Sequence, residues 1–286
     1  MLNKGDTIGI IALSGECDKV KVQEAKLNFE KLGYKVKLSK NIYDEYRYLA
    51  GADNDKISQL HEFFIDDEIK LILCARGGYG GIRLINNIDY NLIKMNPKPF
   101  CGYSDVTSLL IMINKNSEII TYHSPMACTD FIGNDLNTFS IKEFFNAINK
   151  NKIEISGTII YKEGQTQGII WGGNLSTVVS LCGQDFIPEK DFIFFTEDLN
   201  EPVYKIDKMF QQLFNISKFK NYCKGIVLGD FLGIDNNLWL EEYFVELGNI
   251  LNIPIIGGFK ITHSIEKVTI PIGKMAFLDK KNLTII

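Results

Sequence analysis

The stretch FCGYSDVTSLLIMI, Phe100 to Ile113, sets the hydroxyl of Ser104 between a short strand-like run and an apolar helix-like one. A serine in that position ordinarily accepts a backbone N–H bond as a helix N-cap. Three features favour a chemical role instead. Gly102 permits close backbone approach, the preceding run reads as a buried strand, and the helix start at Asp105 offers N–H groups to a developing oxyanion. Val106 stands where G-x-S-x-G would have its last glycine, so the elbow of the α/β-hydrolases is not matched. A serine nucleophile needs a base within hydrogen-bond reach and a group to orient that base. The histidines are His61, His123 and His263. His61 lies in QLHEFF, a helical run with core-like neighbours, and reads as structural. His123 ends a strand that should neighbour the serine's own, and His263 lies in a polar loop after a strand, where scaffolded catalytic groups are often found. Spacing alone leaves these two open.

The orienting carboxylate has a local signal in FFTEDLNEPVYKIDKMF, where Glu197 and Asp198 fall at the carboxyl end of an aromatic-rich strand. Acids at a helix start are also stabilised by its dipole, a role that Glu201 or Asp207 could fill equally well. ARGGYGG, from Ala75, lacks the lysine and hydroxyl of a P-loop and the spacing of G-x-G-x-x-G. Its glycines suit an exposed amide, so an N–H from Gly77 or Gly78 is expected to complete an oxyanion hole with that of Asp105. Arg76 in that loop and Asn174 in WGGNLSTVV are candidates for substrate contact, Asn174 being equally suited to cap the helix that follows.

The elements that must hold these residues alternate in the first half between compact apolar runs (TIGIIA, YKVKL, IKLILCA) and longer helical ones. That rhythm predicts an α/β fold with a mostly parallel sheet flanked by helices, whose ligands gather beyond the carboxyl ends of the strands. Near residue 150 the polar KNKIEISGT reads as a linker into a second unit, dividing the chain into 1–150 and 151–286. The second half reads as short strands with turns, a helix opened by GGNLS, the strand DFIFFTEDL, helices in Tyr204 to Phe214 and in LWLEEYFVELGNIL, and short closing strands.

Composition excludes several classes. A formal charge of −4 without single-sign blocks offers no basic footprint for nucleic acid. The N-terminus lacks the pattern of a signal peptide, and no run is long enough to span a bilayer, so a cytoplasmic protein without membrane association is expected. Cys17, Cys74, Cys101, Cys128, Cys182 and Cys223 form no C-x-x-C pair and read as buried thiols, and the histidines form no ligand motif, so no metal is expected.

Taken together and in order, GDTIGIIALSG, ARGGYG, GYSDVTSL, WGGNLSTVVSLCG, FTEDLNEPVYKIDKM, GIVLGDF and HSIEKVTIPIG resemble the LD-carboxypeptidase family of serine peptidases, whose relatives include the microcin C immunity peptidases. The likeness covers nearly the whole chain. It implies a Ser-Glu-His triad of Ser104, Glu197 and His263, which decides against His123 by family analogy alone. It further implies an N-terminal parallel unit carrying the nucleophile, a C-terminal mixed α/β unit carrying acid and base, a cleft between them, no cofactor, and a homodimer. The implied reaction is hydrolysis of the L,D amide bond to the terminal D-alanine of a murein stem tetrapeptide, in cell-wall recycling. The rival within the family is cleavage of peptidyl or aminoacyl nucleotide conjugates, which should call for adenine-stacking loops that this compact chain does not show as insertions. A non-catalytic peptide-binding module is the rival of another class. Leu13, where the family usually has proline, and Ser124, where it usually has glycine, depart from the pattern without touching the triad.

Overall fold

The computed structural model describes residues 1–286. Its first strands are β1 (Thr7–Ile11), β2 (Lys35–Leu38), β3 (Ile69–Cys74), β4 (Phe100–Gly102) and β5 (Thr121–His123). They pair in parallel, in the spatial order β5-β4-β3-β1-β2. Parallel neighbours need crossovers, and the helices Lys19–Lys31, Asp53–Ile65 and Thr107–Ser117 supply them. The Asp18 carboxylate starts the first of these by accepting the N–H groups of Val20 and Lys21. Because helices cover both faces, β3 is buried at every position but Lys70.

The second half contributes β6 (Ile153–Ser156), β7 (Ile159–Lys162), β8 (Gln165–Asn174), β9 (Phe192–Leu199), β10 (Cys223–Leu232), β11 (Ile255–Gly257), β12 (Ile270–Ile272), β13 (Met275–Asp279) and β14 (Asn282–Ile285). Eight of them form one mixed sheet in the order β6-β14-β13-β8-β9-β10-β11-β7, with β8 to β11 parallel and the flanking pairs antiparallel. The remaining strand, β12, crosses back and pairs antiparallel with β5 at the edge of the first sheet. Pro271 is tolerated there because an edge strand can spare one N–H donor. The two sheets are thus joined by more than the segment near residue 150.

The helix Thr107–Ser117 packs against β5 of one sheet and β8 of the other, and its residues from Thr107 through Ile113 are all buried. A helix apolar around its circumference is one enclosed on all sides. Two local readings of the sequence are corrected and a third is refined. KNKIEISGT is no linker, since it forms β6 and pairs with β14. GGNLS does open a helix, with Asn174 as its N-cap and Leu175 as its first residue, while WGGN also ends β8. The helix after Ser104 starts at Thr107, preceded by a tight 3-10 turn over Ser104–Val106.

Candidate active site

Ser104 follows the carboxyl end of β4 by two residues and adopts φ 61°, the left-handed region that favours glycine. An L-residue there carries about 1–2 kcal/mol of steric strain. Its hydroxyl caps nothing, and no side chain caps the turn or the helix beyond it. The bend needs Gly102, since a Cβ at that position would stand 2.8 Å from Val106 Cγ1 and 3.2 Å from Cys74 Cβ. Gly77 lies against the serine, with a built Cβ meeting Ser104 Cβ at 3.0 Å and Oγ at 3.1 Å. The Asp105 carboxylate fixes the two segments together by accepting the Gly81 N–H at 2.8 Å. Burial pushes that carboxyl up, while the nearby Ser14 hydroxyl and the glycine-loop amides pull it down. Replacing Ser104 by glycine should release the strain but add unfolded-chain entropy. The expected net gain is about 0.5–1 kcal/mol, read as a rise of about 2 °C in Tm. A drop in Tm would contradict the strained geometry.

Glu197 sits on β9, fully buried, beside Asn174 of β8 in the strand register. Its Oε2 lies 2.6 Å from Nδ1 of His263, whose loop follows β11. Burial raises the Glu197 pKa, and the His263 contact opposes that shift without cancelling it. His263 Nε2 is buried and has no partner, and Ser104 makes no hydrogen bond to it. The two parts nevertheless meet, because the ring of Tyr103, the residue before the serine, stands edge-on to His263 with centroids 4.9 Å apart. Asp198 turns elsewhere. It accepts Asn174 Nδ2 at 2.9 Å and the Ser176 N–H at 2.8 Å, so the adjacent acids have different partners.

His123 is buried in β5, paired in register with Gly102, and its ring is set edge-on against Tyr103 and Phe195. Burial, reinforced by the His263 and Lys267 charges, lowers its pKa to about 3, so it is a neutral ring. His61 Nε2 accepts the Asp89 N–H at 2.9 Å, the structural role its helix suggests. Glu201 pairs with Lys205 one helical turn on, at 3.4 Å.

Asn174 caps its helix, with Oδ1 accepting the N–H of Thr177. Arg76 donates through Nε to Gly77 O and through Nη1 to Glu16 O, both at 3.2 Å, so its guanidinium lies along the glycine loop. The Gly77 carbonyl also accepts the Gly15 N–H. A trans peptide sets the following N–H opposite to that carbonyl, so the Gly78 amide points away from Gly15, and it donates to no other backbone carbonyl. No group of three His, Cys, Asp or Glu side chains is arranged to hold a metal ion, and no helix is long and apolar enough to cross a membrane. The sequence reading missed Tyr103, Asp130, Lys267 and the bracing role of the Asp105 side chain. For Tyr103 a signal existed, since it adjoins the serine. For Lys267 and Asp130 none did, because a single sequence does not mark a lysine as buried.

The family models described as LD-carboxypeptidase N-terminal domain and LD-carboxypeptidase C-terminal domain match residues 8–124 and 167–278. A Bacillus subtilis protein named probable murein peptide carboxypeptidase is 37% identical, over 100% of this chain and 92% of its own length. The crystal structure of an MccF-like protein from Bacillus anthracis superposes with a TM-score of 0.93 at 28% identity, covering 100% of this chain and 98% of that one. That of a muramoyltetrapeptide carboxypeptidase from Oxalobacter formigenes gives 0.89 at 26% identity, covering 98% of each.

Proposed function

Because the chain belongs to the LD-carboxypeptidase family of serine peptidases, we propose that it removes the terminal D-alanine from murein stem tetrapeptides with Ser104, His263 and Glu197 as its triad. The contact between Glu197 Oε2 and His263 Nδ1 carries this reading. A carboxylate at Nδ1 holds the proton on that nitrogen and leaves Nε2 lone-paired, the form a general base requires. That Nε2 is unpartnered. Catalytic hydrogen bonds are often long in unliganded enzymes, and the Ser104 bond forms when substrate closes the cleft.

In the reaction, His263 takes the Ser104 proton and the serine oxygen attacks the scissile carbonyl. The oxyanion is received by the N–H groups of Gly78 and Asp105, each donor being worth about 3 kcal/mol of barrier. Collapse expels D-alanine with the proton returned by His263, leaving an acyl-enzyme that water cleaves by the reverse proton path. Asn174 and Arg76 are assigned to the substrate-facing wall. The division near residue 150, a cytoplasmic location and a homodimer belong to the same reading; the exposed Leu238, Trp239 and Ile250 of the helix Asn237–Leu251 offer a surface for the dimer, which a mass measurement in solution checks.

The likeness to the MccF-like protein makes cleavage of aminoacyl nucleotide conjugates the second reading. Incubating the protein with a muropeptide tetrapeptide and, separately, with an aminoacyl sulfamoyl adenylate, and following products by mass, separates the two. D-alanine release is expected. Turnover of the nucleotide conjugate alone would transfer the function to the second reading, and turnover of neither would favour a binding module.

A further inference from the structure

Lys267 is only 4% exposed, yet it lies in a loop whose Ile265 is 74% exposed. Burying an ammonium group is costly unless it is paired and hydrogen-bonded. Here its Nζ contacts the Asp130 carboxylate, lies 3.3 Å from the Tyr103 hydroxyl, and stands 4.6 Å from the centroid of the Tyr103 ring. Each partner is itself held. Asp130 gives its other oxygen to the Met126 N–H at 2.8 Å and to the Thr129 hydroxyl at 2.7 Å, which fixes the carboxylate on the first unit. The backbone beside Lys267 is pinned as well, since its N–H donates to Ser140 Oγ at 2.9 Å while that hydroxyl donates to Ile265 O at 2.8 Å.

The positions in sequence give this cluster its meaning. Lys267 lies four residues after His263, Tyr103 lies one residue before Ser104, and the Tyr103 ring touches the His263 ring. We propose that Lys267 is a positioning residue for the peptidase reaction: by bridging Asp130 and Tyr103 it locks the loop bearing His263 against the turn bearing Ser104. It is the cation of a latch between the two parts of the site, and its effect reaches the substrate only through the imidazole. A cavity of about 450 Å³ opens on the same residues, lined by Tyr103, Asp130, Ser140, His263 and Lys267, and leaves the loop bearing His263 room to move once the latch is loosened.

The inference rests on the assignment of Ser104 and His263 as nucleophile and base, and the experiment keeps the two apart. Removing one member of a buried ion pair strands the other charge. Lys267→Met is therefore studied beside the neutral double variant Lys267→Met/Asp130→Asn, which keeps the lysine stem volume and leaves no unpaired charge. Four quantities are measured: the rate of Ser104 labelling by a fluorophosphonate, kcat and KM for D-alanine release, and Tm. A displacement of the reacting groups by about 1 Å costs about 10²-fold in rate. In the double variant both labelling rate and kcat are expected to fall by about that factor, with KM within twofold and Tm close to that of the parent. A wild-type labelling rate and kcat in the double variant would overturn the latch. So would a rise in KM at unchanged kcat, which would make Lys267 a substrate-binding residue. Absence of label on Ser104 in the parent protein would overturn the nucleophile assignment and the latch with it.

Discussion

Ser104→Ala is expected to lower kcat for D-alanine release by about 10⁶, the scale seen when the nucleophile of a triad is deleted, while KM stays within a few-fold. The hydroxyl forms its bond in the reaction and makes no hydrogen bond in the resting site, so little ground-state binding is lost with it. Alanine keeps the Cβ that packs 3.0 Å from the position a Gly77 Cβ would take. The turn is therefore expected to survive, with Tm unchanged within about 2 °C. Steady-state kinetics, intact-mass detection of an acyl adduct in the parent, and its disappearance in the variant are the measurements. Turnover undiminished in Ser104→Ala would place the nucleophile elsewhere and remove the reason for the strained backbone at φ 61°.

Glu197→Gln separates activity from stability. Glutamine has nearly the same shape and can still accept the His263 Nδ1–H, but it brings no charge to stabilise the imidazolium that forms in the transition state. It can also present its amide N–H to Nδ1 and so select the wrong tautomer. A loss of about 10⁴ in kcat is expected. Stability is expected to move the other way. Burial raises the Glu197 pKa, so just above the ordinary carboxylate range the folded state retains a proton that the unfolded chain has released. There the folded state binds more protons than the unfolded one, and stability falls as pH rises through that window. The variant lacks that component. Its Tm is expected to match the parent at a pH below the ordinary glutamate value and to exceed it increasingly toward neutrality. A Tm that falls below the parent's as pH rises would mean that the charged pair with His263 stabilises the fold, contrary to the dominance of burial.

Much of the candidate site was readable in order along the chain. The glycine-flanked serine after a buried run, the acids ending an aromatic strand and the loop histidine are local features, and local features follow from neighbours a few residues away. The parallel first sheet was readable for the same reason, since continuous apolar runs such as Ile69 to Cys74 need cover on both faces. The misreadings were local ambiguities settled at a distance. KNKIEISGT is polar because β6 lies at a sheet edge, where one side meets solvent. For Ser104 the sequence weighed a cap against a presented hydroxyl and favoured the second, and the turn it begins has a left-handed backbone angle at Ser104 and no side-chain cap.

The sequence by itself determined the class of the fold, the family and the short segments proposed to supply a nucleophile, an acid and a base, because each is encoded in residue type and spacing over a single turn or strand. Residue spacing left His123 and His263 equally eligible and only the family resemblance favoured His263; the contact itself is a product of tertiary structure, in which Glu197 reaches His263 across 66 positions of sequence while His123 is enclosed by Tyr103 and Phe195. Tertiary structure also decided that Lys267 is buried against Asp130, 137 positions away. Such partners are fixed by strand order and by the return of β12 to the first sheet, and the energy of burying a charge depends on the groups that this folding brings to it.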